Sequence, residues 1–519
     1  MSQEGVNEWK REVYGKMREL TKLWRRDNYV AKVREIKKRV EHIMLIQAKK
    51  PKIFNRMFSW KKQQAGPSFP QKLLLEDNIT ITDSLQIENI MKEYWEKAFN
   101  ESTHVNYSLA NSPWFHTPLI TKWRTHLKDA STLVEDITLS EVREAMHGLG
   151  RCKAPGPDEL PLEAWLYADE SIHIYLTKIY SKSLKEGIIP EEWKTSKIFL
   201  IHKGGKEIPN NYRPISLLNS IYKIFVAILN KRINSVILKN DLLPEHQSGF
   251  QKGRSTASRI WALISLIKHQ KSKDENIHLL YLDIKKAYDS VNHEQMLETL
   301  TILGFPNQLI KIIKNIYKDS IGSIITPNGV TEPFIISKGV KQGCPLSPTL
   351  FAIFVEPLLS WLEESNLGIK IQERYYTIGG FADDLVVTTS SYENLVRAME
   401  MINTYMNSYN MELNIDSNGR NKTVHTALKF EGGLSYYDLN GMHIEIPYLT
   451  ASESYQYLGI NLNLELNWEP QINRLWNSFQ KQIIFLSNRC LTVKQVIKIL
   501  NQVTLPALYY SLNFFNISS

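Results

Sequence analysis

The sequence lacks the marks of a secreted, membrane-spanning or zinc-stabilised protein. Its three cysteines, Cys152, Cys344 and Cys490, lie far apart and form no CxxC or Cys/His pattern, which supports neither a disulfide framework nor a zinc knuckle. The longest apolar stretch, Pro348 to Leu362, is interrupted by Glu356 and is shorter than the ~20 residues that span a bilayer. The start of the chain has no signal-peptide core. We therefore expect an intracellular protein, in the nucleus or the cytoplasm, with no membrane partner.

An excess of acidic residues is also missing, and the positive charge is concentrated at one end. The 519 residues hold 63 Lys and Arg against 54 Asp and Glu, a net charge of +9. Residues 1–62 alone hold 18 basic and 7 acidic residues, so the other 457 residues carry a net charge of −2. Apolar residues recur in this block at steps of three and four, which predicts two amphipathic helices. Their basic faces would attract a phosphate backbone, or would simply be solvated.

Helical patterns then alternate with breaks. Gln63–Pro70 resembles a linker, and Ser84–Phe99 has a helical pattern that precedes a polar, weakly patterned segment up to about Ser131. Thr138-Leu-Ser-Glu141 predicts a capping box that opens a short helix, which Gly148 and Gly150 end.

From about residue 174 onward, helical patterns alternate with short runs of β-branched and aromatic residues. The predicted strands are Ile198–Ile201, Ile277–Ile284, Ile321–Ile325 and Leu385–Thr389. This mixture, without an internal repeat, predicts an α+β fold.

Three carboxylates stand at the ends of apolar runs. Asp283 is near the end of the run Ile277–Ile284, and Asp383 and Asp384 are adjacent within Phe381–Val387, which predicts a hairpin with its turn at the acids. A single Asp at such a place is more often a turn or cap residue. However, adjacent carboxylates repel, and burying them is costly without a cation. Two Mg²⁺ ions about 3.5–4 Å apart would supply it, and such pairs catalyse in-line phosphoryl transfer.

These acids belong to a series of motifs that is similar to the palm motifs of reverse transcriptases. The palm motifs are Asp283 with Tyr288, Gln342-Gly-Cys-Pro-Leu-Ser-Pro348, Phe381-Ala-Asp-Asp384 and Tyr457-Leu-Gly-Ile460. Three upstream segments resemble the additional fingers segments of non-LTR (LINE-like) retrotransposon enzymes, a relationship shared in part with group II intron enzymes. These are Lys153-Ala-Pro-Gly-Pro-Asp158, Asn211-Tyr-Arg-Pro-Ile-Ser-Leu-Leu218 and His246-Gln-Ser-Gly-Phe-Gln-Lys-Gly-Arg254.

The resemblance covers about residues 140–463 and implies a right-hand polymerase. It implies fingers and a palm with an antiparallel sheet in 140–463, followed by a thumb-like helical region in 464–519. Before them lie a basic helical N-terminal extension, 1–62, and a linker and accessory segment, 63–139. The helical spacing of the tail carries basic residues, as expected of a thumb along a duplex: Arg474, Lys481, Arg489, Lys494 and Lys498.

The resemblance also implies roles for the acids. Asp283 and Asp383 would be direct ligands of two Mg²⁺ ions, for which Mn²⁺ is a possible substitute. Asp384 would complete the carboxylate cluster, and the backbone carbonyl of Ile284 would also reach a metal. Lys422 falls where these enzymes place a lysine thought to act as general acid toward pyrophosphate. In the family pattern that lysine stands closer to the preceding asparagine, here Asn414, than the intervening Ser417-Asn-Gly-Arg420 allows. Arg420 therefore competes for the role.

Further residues would contact the nucleotide and the primer. Tyr288 would exclude a 2′-hydroxyl, or would be a core tyrosine. Lys203 and Arg213 would grip the triphosphate, or would be surface cations. Gln342 and Gly343 would approach the nascent base pair ahead of a helix that Ser347-Pro348 opens, or would form a plain helix-entry turn. The primer grip would comprise Tyr457, Leu458 and Gly459.

The sequence therefore predicts an RNA-directed DNA polymerase from a non-LTR retrotransposon or a derivative of one. Its partners would be an RNA template, a DNA primer or nicked target DNA, and dNTPs. The chain has neither room for an N-terminal endonuclease nor a C-terminal Cys/His cluster or RNase H domain, so we expect a fragment or a stand-alone polymerase. The alternatives are a group II intron-type reverse transcriptase/maturase and a non-catalytic RNA-binding scaffold. Loss of the acids would mark the scaffold, and here all three are present.

Overall fold

A computed structural model describes most of the chain beyond residue 68. The described residues are 69–75, 79–100, 109–128, 130–243, 246–249, 251, 253–415, 422–430, 432–438, 440–489 and 491–515. The predicted basic helices of 1–62, Arg420 and Cys490 lie outside them. The chain divides into two compact units: Met1–Ser102 with Ala130–Ser235 and Pro306–Ser347, and Thr103–Asp129 with Val236–Phe305 and Pro348–Ser519. Within the described ranges, no helix is long and apolar enough to cross a membrane.

Helices and strands alternate through both units. The helices are α1 (Ser84–Asn100), α2 (Pro118–Lys128), α3 (Leu139–Gly148), α4 (Leu162–Leu166), α5 (Glu170–Glu186), α6 (Ser220–Lys239), α7 (Thr256–Ser272), α8 (Ala287–Ser290), α9 (His293–Ile302), α10 (Asn307–Tyr317), α11 (Ser347–Glu364), α12 (Tyr392–Ser408), α13 (Glu469–Ser487), α14 (Val493–Ile499) and α15 (Leu505–Leu512). The strands are β1 (Leu73–Leu74), β2 (Thr80–Ile81), β3 (Thr195–His202), β4 (Tyr212–Leu218), β5 (His278–Asp283), β6 (Ser320–Thr326), β7 (Gly329–Val330), β8 (Phe334–Ile336), β9 (Ile369–Ile371), β10 (Arg374–Tyr376), β11 (Ile378–Phe381), β12 (Asp384–Thr389), β13 (Val424–Ala427), β14 (Leu434–Tyr437), β15 (His443–Ile446), β16 (Tyr448–Leu449), β17 (Tyr455–Tyr457) and β18 (Ile460–Leu462). This mixture confirms the predicted combination of helix and sheet.

The first unit is built on a sheet with the strand order β4–β3–β6–β7, in which β8 also pairs with β6. Strand β3 runs antiparallel to β4 and parallel to β6. Helix α1 contributes a buried face, Ile87, Met91, Trp95 and Phe99, to one apolar cluster with residues of β3, β4, β6 and β8. The helix predicted over Ser84–Phe99 is thereby confirmed to within one residue.

The predicted capping box of the first unit is also present. The hydroxyl of Thr138 accepts from the backbone N–H of Glu141 (3.3 Å), and the Glu141 carboxylate accepts from the backbone N–H of Thr138 (2.9 Å). Two of the amides that a helix start leaves unpaired are satisfied in this way. Helix α3 then ends at Gly148, as predicted.

The second unit is built on a sheet with the order β11–β12–β5–β13–β16. Strand β5 is central and buried along its whole length, which explains why its sequence is a continuous apolar run and does not alternate. Helix α7 joins this sheet in one core, where Ile260, Ile264 and Ile267 lie in a cluster with Tyr281 and Val386. The predicted strands at Ile277–Ile284 and Leu385–Thr389 are confirmed as β5 and β12.

The prediction of a weakly patterned segment up to about Ser131 was wrong. Helix α2, in the second unit, buries Ile120, Trp123 and Leu127. These residues follow the helical spacing of three and four, but the helix has only 11 residues and its pattern is short among polar neighbours. Contacts far along the chain fix it, including a hydrogen bond from the Arg124 guanidinium to the Ile302 carbonyl (2.9 Å).

A buried histidine pair joins β5 to β13 in the second unit. The Nδ1 atom of His278 lies 3.2 Å from the Nε2 atom of His425, and the two rings are stacked. Desolvation lowers the pKa of each ring to about 4, and for His425 the neighbouring His278 contributes to the lowering. Both histidines are therefore neutral in the folded protein at neutral pH.

We predict that lowering the pH from 7 to 5 destabilises the protein through this pair. An unfolded histidine has a pKa of about 6.5, so the unfolded chain binds more protons than the folded protein as the pH falls from 6.5 toward 4. The loss at pH 5 is on the order of 2 kcal/mol for each histidine. Urea unfolding at several pH values measures it. His425→Phe should flatten the pH dependence, and the exposed control His443→Gln should leave it unchanged. Equal pH dependence in the wild type and His425→Phe would contradict the assignment.

Candidate active site

A two-residue turn brings the adjacent acids to the edge of the second unit's sheet. Strands β11 and β12 form an antiparallel hairpin in which Phe381 pairs with Asp384, so Ala382 and Asp383 form the turn. The predicted hairpin is confirmed. Strand β12 also pairs with β5, and the register places Asp384 directly opposite Asp283. Local strand pairing thus brings three carboxylates from two separate stretches of sequence together.

Asp283 is the buried member of the cluster, and its surroundings hold it firmly. Its carboxylate accepts a hydrogen bond from the side-chain amide of Asn414 (2.6 Å) and lies 3.2 Å from the ammonium of Lys422. Its backbone carbonyl accepts from the backbone N–H of Asn414 (2.8 Å), and its backbone N–H donates to the hydroxyl of Thr423 (3.2 Å). Asp283 is therefore fixed on both its main chain and its side chain.

The pKa of Asp384 reflects its burial and the two carboxylates beside it. Desolvation, together with the repulsion by the Asp383 and Asp283 carboxylates, raises the pKa of Asp384 to about 6, and Lys422 opposes the rise. The residue keeps an exposed surface, so we give most weight to the repulsion by the two neighbouring carboxylates. A cation near these acids would relieve that repulsion.

The donors suit a hard cation, although they do not form a finished cage. Carboxylate oxygens are the ligands that Mg²⁺ prefers, and it usually keeps several waters. Among the residues that the structure describes, no three His, Cys, Asp or Glu side chains are arranged to hold a metal ion. The ammonium of Lys422 contacts Asp283 and balances part of the negative charge of the carboxylates. Ile284, the other predicted metal contact, is buried and pairs with Leu413 in an isolated bridge.

Tyr288 lies close to the acids on the short helix α8. Its ring stacks on Phe351 of α11 with centroids 5.0 Å apart. Burial raises the pKa of its hydroxyl above the ordinary value, and the Asp383 carboxylate adds to the rise. The ring is half-buried, so one part of it remains accessible beside the carboxylates.

The predicted primer-grip residues form a second tight hairpin. Leu458 and Gly459 connect β17 to β18, and both have positive φ values, 46° and 86°. The carbonyl of Leu458 accepts a hydrogen bond from the hydroxyl of Tyr510 on α15 (3.0 Å). The carbonyl of Gly459 accepts from the guanidinium of Arg474 on α13 (3.1 Å). This hairpin is thus tied to two of the C-terminal helices.

A pair of tyrosines links this hairpin to the acid cluster. Tyr455 stacks on Tyr281 of β5 at 4.1 Å between centroids, and its hydroxyl donates to the carbonyl of Lys422 (2.6 Å). Tyr457 is buried beside Tyr281. The structure therefore brings the strand of Asp283, Lys422 and the predicted primer grip into one neighbourhood.

The remaining predicted residues belong to the first unit. Lys203 follows β3 and donates through its ammonium to the carbonyl of Asn210 (3.3 Å), while Arg213 is exposed on β4. The carbonyl of Gln342 accepts from the backbone N–H of Ser216 on β4 (2.7 Å). Gly343 has a φ of 112°, and a Cβ there would lie 2.8 Å from the Ser216 carbonyl oxygen. Within this unit, the Gln-Gly turn thus packs against the strand that carries Arg213.

Sequence reasoning missed two residues that hold this site, Asn414 and Tyr455. Each lies more than a hundred residues from the β5 residue that it touches, and no local pattern reports such a contact. Asn414 had one available signal, since it is the asparagine that precedes Lys422 in the predicted motif.

Comparison with known proteins agrees with this geometry. The family described as "Reverse transcriptase (RNA-dependent DNA polymerase)" matches residues 201–462. The chain is 24% identical to the 149 kDa protein of transposon TX1 from Xenopus laevis, over 82% of the chain and 32% of that protein. It is 26% identical to the RNA-directed DNA polymerase from mobile element jockey of Drosophila funebris, over 79% of the chain and 45% of that protein. It is 27% identical to the probable RNA-directed DNA polymerase from transposon BS of Drosophila melanogaster, over 69% of the chain and 39% of that protein. The chain thus spans less than half the length of these relatives.

We predict that Asp384→Asn stabilises the protein when divalent cations are removed. The folded-state pKa of about 6 lies above the ordinary 3.8, so ionisation costs more in the folded than in the unfolded chain. This cost is absent below pH 3.8 and complete above pH 6, so the gain from Asn should grow between pH 4 and 7. Solvent screening at this exposed residue limits it to about 0.5 kcal/mol.

Thermal unfolding in EDTA measures this gain. Glu400→Gln is the matched control, because Glu400 is an exposed acid on α12 of the same unit and should give no pH-dependent gain. A gain equal for both variants, or absent at pH 7 in Asp384→Asn, would disprove the repulsion.

Proposed function

The chain belongs to the reverse transcriptase (RNA-dependent DNA polymerase) family, and we propose from this membership that it extends a DNA 3′ end with dNTPs on an RNA template. One observation carries the proposal. The register between β5 and β12 sets Asp283 opposite Asp384, with Asp383 in the adjoining turn. All three acids lie within the matched residues, so the chain retains the carboxylates whose loss would indicate a scaffold.

The proposed reaction is in-line phosphoryl transfer, in which the primer 3′-oxygen attacks the α-phosphate of the dNTP and pyrophosphate leaves. Asp283, Asp383 and Asp384 would hold two Mg²⁺ ions, with the Ile284 carbonyl as a further ligand and Mn²⁺ as a substitute. When bound, such ions activate the attacking hydroxyl and stabilise charge on the leaving oxygens. The repulsion between Asp384 and the two neighbouring carboxylates supports this use of the acids.

Residues around Asp283 would position it and handle the proton. The side-chain amide of Asn414 donates a hydrogen bond to one carboxylate oxygen of Asp283. This bond would fix the orientation of the other oxygen. Lys422 is exposed over 60% of its side chain while touching Asp283, so its ammonium can move away from the acid without breaking a buried contact. We assign to it delivery of a proton to the leaving pyrophosphate, since an ammonium is both a cation and a proton donor.

Tyr288 would select deoxynucleotides. Its stacking on Phe351 braces the ring against movement, and the proximity to Asp383 supports a location near the sugar of the incoming nucleotide. A braced ring leaves no room for a 2′-hydroxyl.

Other parts of the chain would hold the nucleotide and the duplex. We assign the triphosphate to Lys203 and Arg213 and the approach to the nascent base pair to Gln342 and Gly343. Tyr457, Leu458 and Gly459 would grip the primer. Residues 140–463 would correspond to fingers and palm and 464–519 to the thumb. The ties from Arg474 and Tyr510 to the hairpin of Leu458 support a thumb that moves with the primer grip.

The proposed partners are an RNA template, a DNA primer or nicked target DNA, and dNTPs. The names of the relatives, which include polymerases from mobile elements such as jockey and the transposon BS, favour a retrotransposon enzyme over a group II intron-type maturase.

We predict that Asp383→Asn abolishes dNTP incorporation while RNA binding persists. The neutral amide of asparagine lacks the negative charge with which a carboxylate binds a metal ion. The rate of dNTP incorporation should therefore fall by roughly 100-fold or more. Primer extension on an RNA template and filter binding of the same template measure the two properties. Glu400→Gln is the control and should match the wild type in both. Extension by Asp383→Asn at the wild-type rate would refute the catalytic assignment.

We also predict that Tyr288→Ala admits ribonucleotides. Removing the ring opens space for a 2′-hydroxyl, so the ratio of rNTP to dNTP efficiency should rise at least roughly tenfold. Tyr288→Phe keeps the ring and should keep the ratio. If Tyr288→Ala incorporates dNTPs with an unchanged ratio, Tyr288 is a packing residue only.

A further inference from the structure

The segment 246–249 runs along the outer side of the hairpin that carries the acids. Gln247 pairs with Gly380 of β11 as an isolated parallel bridge. The backbone N–H of Gly380 donates to the His246 carbonyl (2.6 Å), and the N–H of Ser248 donates to the Gly380 carbonyl (2.9 Å). Strand β11 of the hairpin is therefore held by β12 on one side and by this segment on the other.

The side chain of Gln247 turns toward the tip of the hairpin. It is fully buried, and its carbonyl oxygen accepts from the backbone N–H of Gly249 (2.8 Å) and from that of Ala382 (3.2 Å). Two amide donors facing one atom identify that atom as oxygen, because the NH₂ group would repel both. A single side chain thus joins the segment to the turn that bears Asp383.

The approach between segment and turn is close enough to require glycine at position 249. A Cβ on Gly249 would lie 2.3 Å from the backbone nitrogen of Ala382. This distance is shorter than any non-bonded contact permits. The Gln-Ser-Gly sequence therefore combines an acceptor with a neighbour small enough to let the turn reach it.

The turn needs such a restraint because its backbone is strained. Ala382 has a φ of 62°, the left-handed region that residues with a Cβ rarely adopt. Such conformations persist only when the surroundings impose them. The hydrogen bond to Gln247 is made by the N–H of this strained residue, one position before Asp383.

The segment itself is anchored to helix α11. His246 makes a 3.0 Å contact through Nε2 to the carboxylate of Glu356, which is completely buried, and the Ser360 hydroxyl donates to the same oxygen (2.9 Å). Buried polar groups are retained where they are hydrogen-bonded. Gln247 is therefore attached to a rigid support and does not lie on an independent loop.

We propose that Gln247 is a positioning residue for the catalytic turn, which holds the strained Ala382–Asp383 peptide where Asp383 can share a cation with Asp283. This inference rests on the proposed function, since it assigns to Gln247 the placement of a metal-binding acid. Gln247 would touch neither substrate nor metal. Its contribution would be the fixed position of the turn.

The test compares Gln247→Met with Gln251→Met in the full chain. Methionine keeps the volume of glutamine and removes the acceptor. Gln251 is the matched control, because its side-chain amide donates to the backbone carbonyl of Gln247 (2.7 Å), so it contacts the segment 246–249 without contributing the acceptor for the turn. Primer extension gives kcat and the Mg²⁺ concentration for half-maximal rate, filter binding gives RNA affinity, and thermal unfolding gives stability.

For Gln247→Met we expect kcat to fall by roughly 10- to 100-fold, as small displacements of catalytic groups do, with a higher Mg²⁺ requirement and unchanged RNA affinity. Gln251→Met should resemble the wild type. A merely structural role would lower the melting temperature without moving the Mg²⁺ requirement. Such a result, or equal kcat in the two variants, would overturn the proposal.

A second variant keeps the proposal testable if Gln247→Met folds poorly. Adding Ala382→Gly should restore part of the lost rate, since glycine adopts the left-handed conformation without steric cost and the turn then depends less on Gln247. Failure of the rescue would also count against the proposal. The wild type on its RNA template tests the proposed function separately: without extension there, the function and this inference fall together, whereas an active wild type confines any failure to Gln247.

Discussion

The alignment of β12 on β5 is the constraint on which the rest of this structure depends. It sets Asp384 opposite Asp283, an arrangement that like charges disfavour. A slip of one residue would relieve the repulsion, but it would also exchange the two faces of β12, which are both buried and pack against different neighbours. Leu385, Val386 and Val387 are all buried, so apolar burial on β12 enforces a register that the carboxylates oppose. The acids are held together by a hydrophobic core that has no part in their chemistry.

The support around the acids follows from the same constraint. Asp283 loses water by lying in the sheet, and Asn414, Lys422 and Thr423 replace the lost hydrogen bonds. Asp384 remains more exposed and is left with the unrelieved repulsion. One acid is thus fixed by the protein, and the other keeps a repulsion that a cation would relieve. The exposed Lys422 can leave Asp283, whereas the partly buried Asn414 remains in place.

Sequence patterns predicted the features that depend on neighbours in the chain. The hairpin at the acids, strand β5 and the capping box at Thr138 each follow from adjacent residues, and the structure contains all three. Contacts between residues far apart in the chain were not predicted. Examples are the hydrogen bond from the Asn414 amide to Asp283 and the contacts that fix helix α2. Gln247 belongs to the motif His246–Arg254. Its contact with the turn at Ala382 depends on the tertiary structure, because the two residues lie far apart in the chain. The roles of Lys203 and Arg213 stay predictions.

The central claim is that the three carboxylates form a cation site for catalysis. Titration of Mn²⁺ into the full chain with a primer–template duplex and a non-reactive dNTP analogue tests it most directly, with free Mn²⁺ followed by electron paramagnetic resonance. We expect two bound Mn²⁺ ions that depend on both the duplex and the nucleotide and are lost in Asp283→Asn. The same Mn²⁺ binding by the wild type and Asp283→Asn, in samples that are equally folded and hold the duplex equally well, would contradict it.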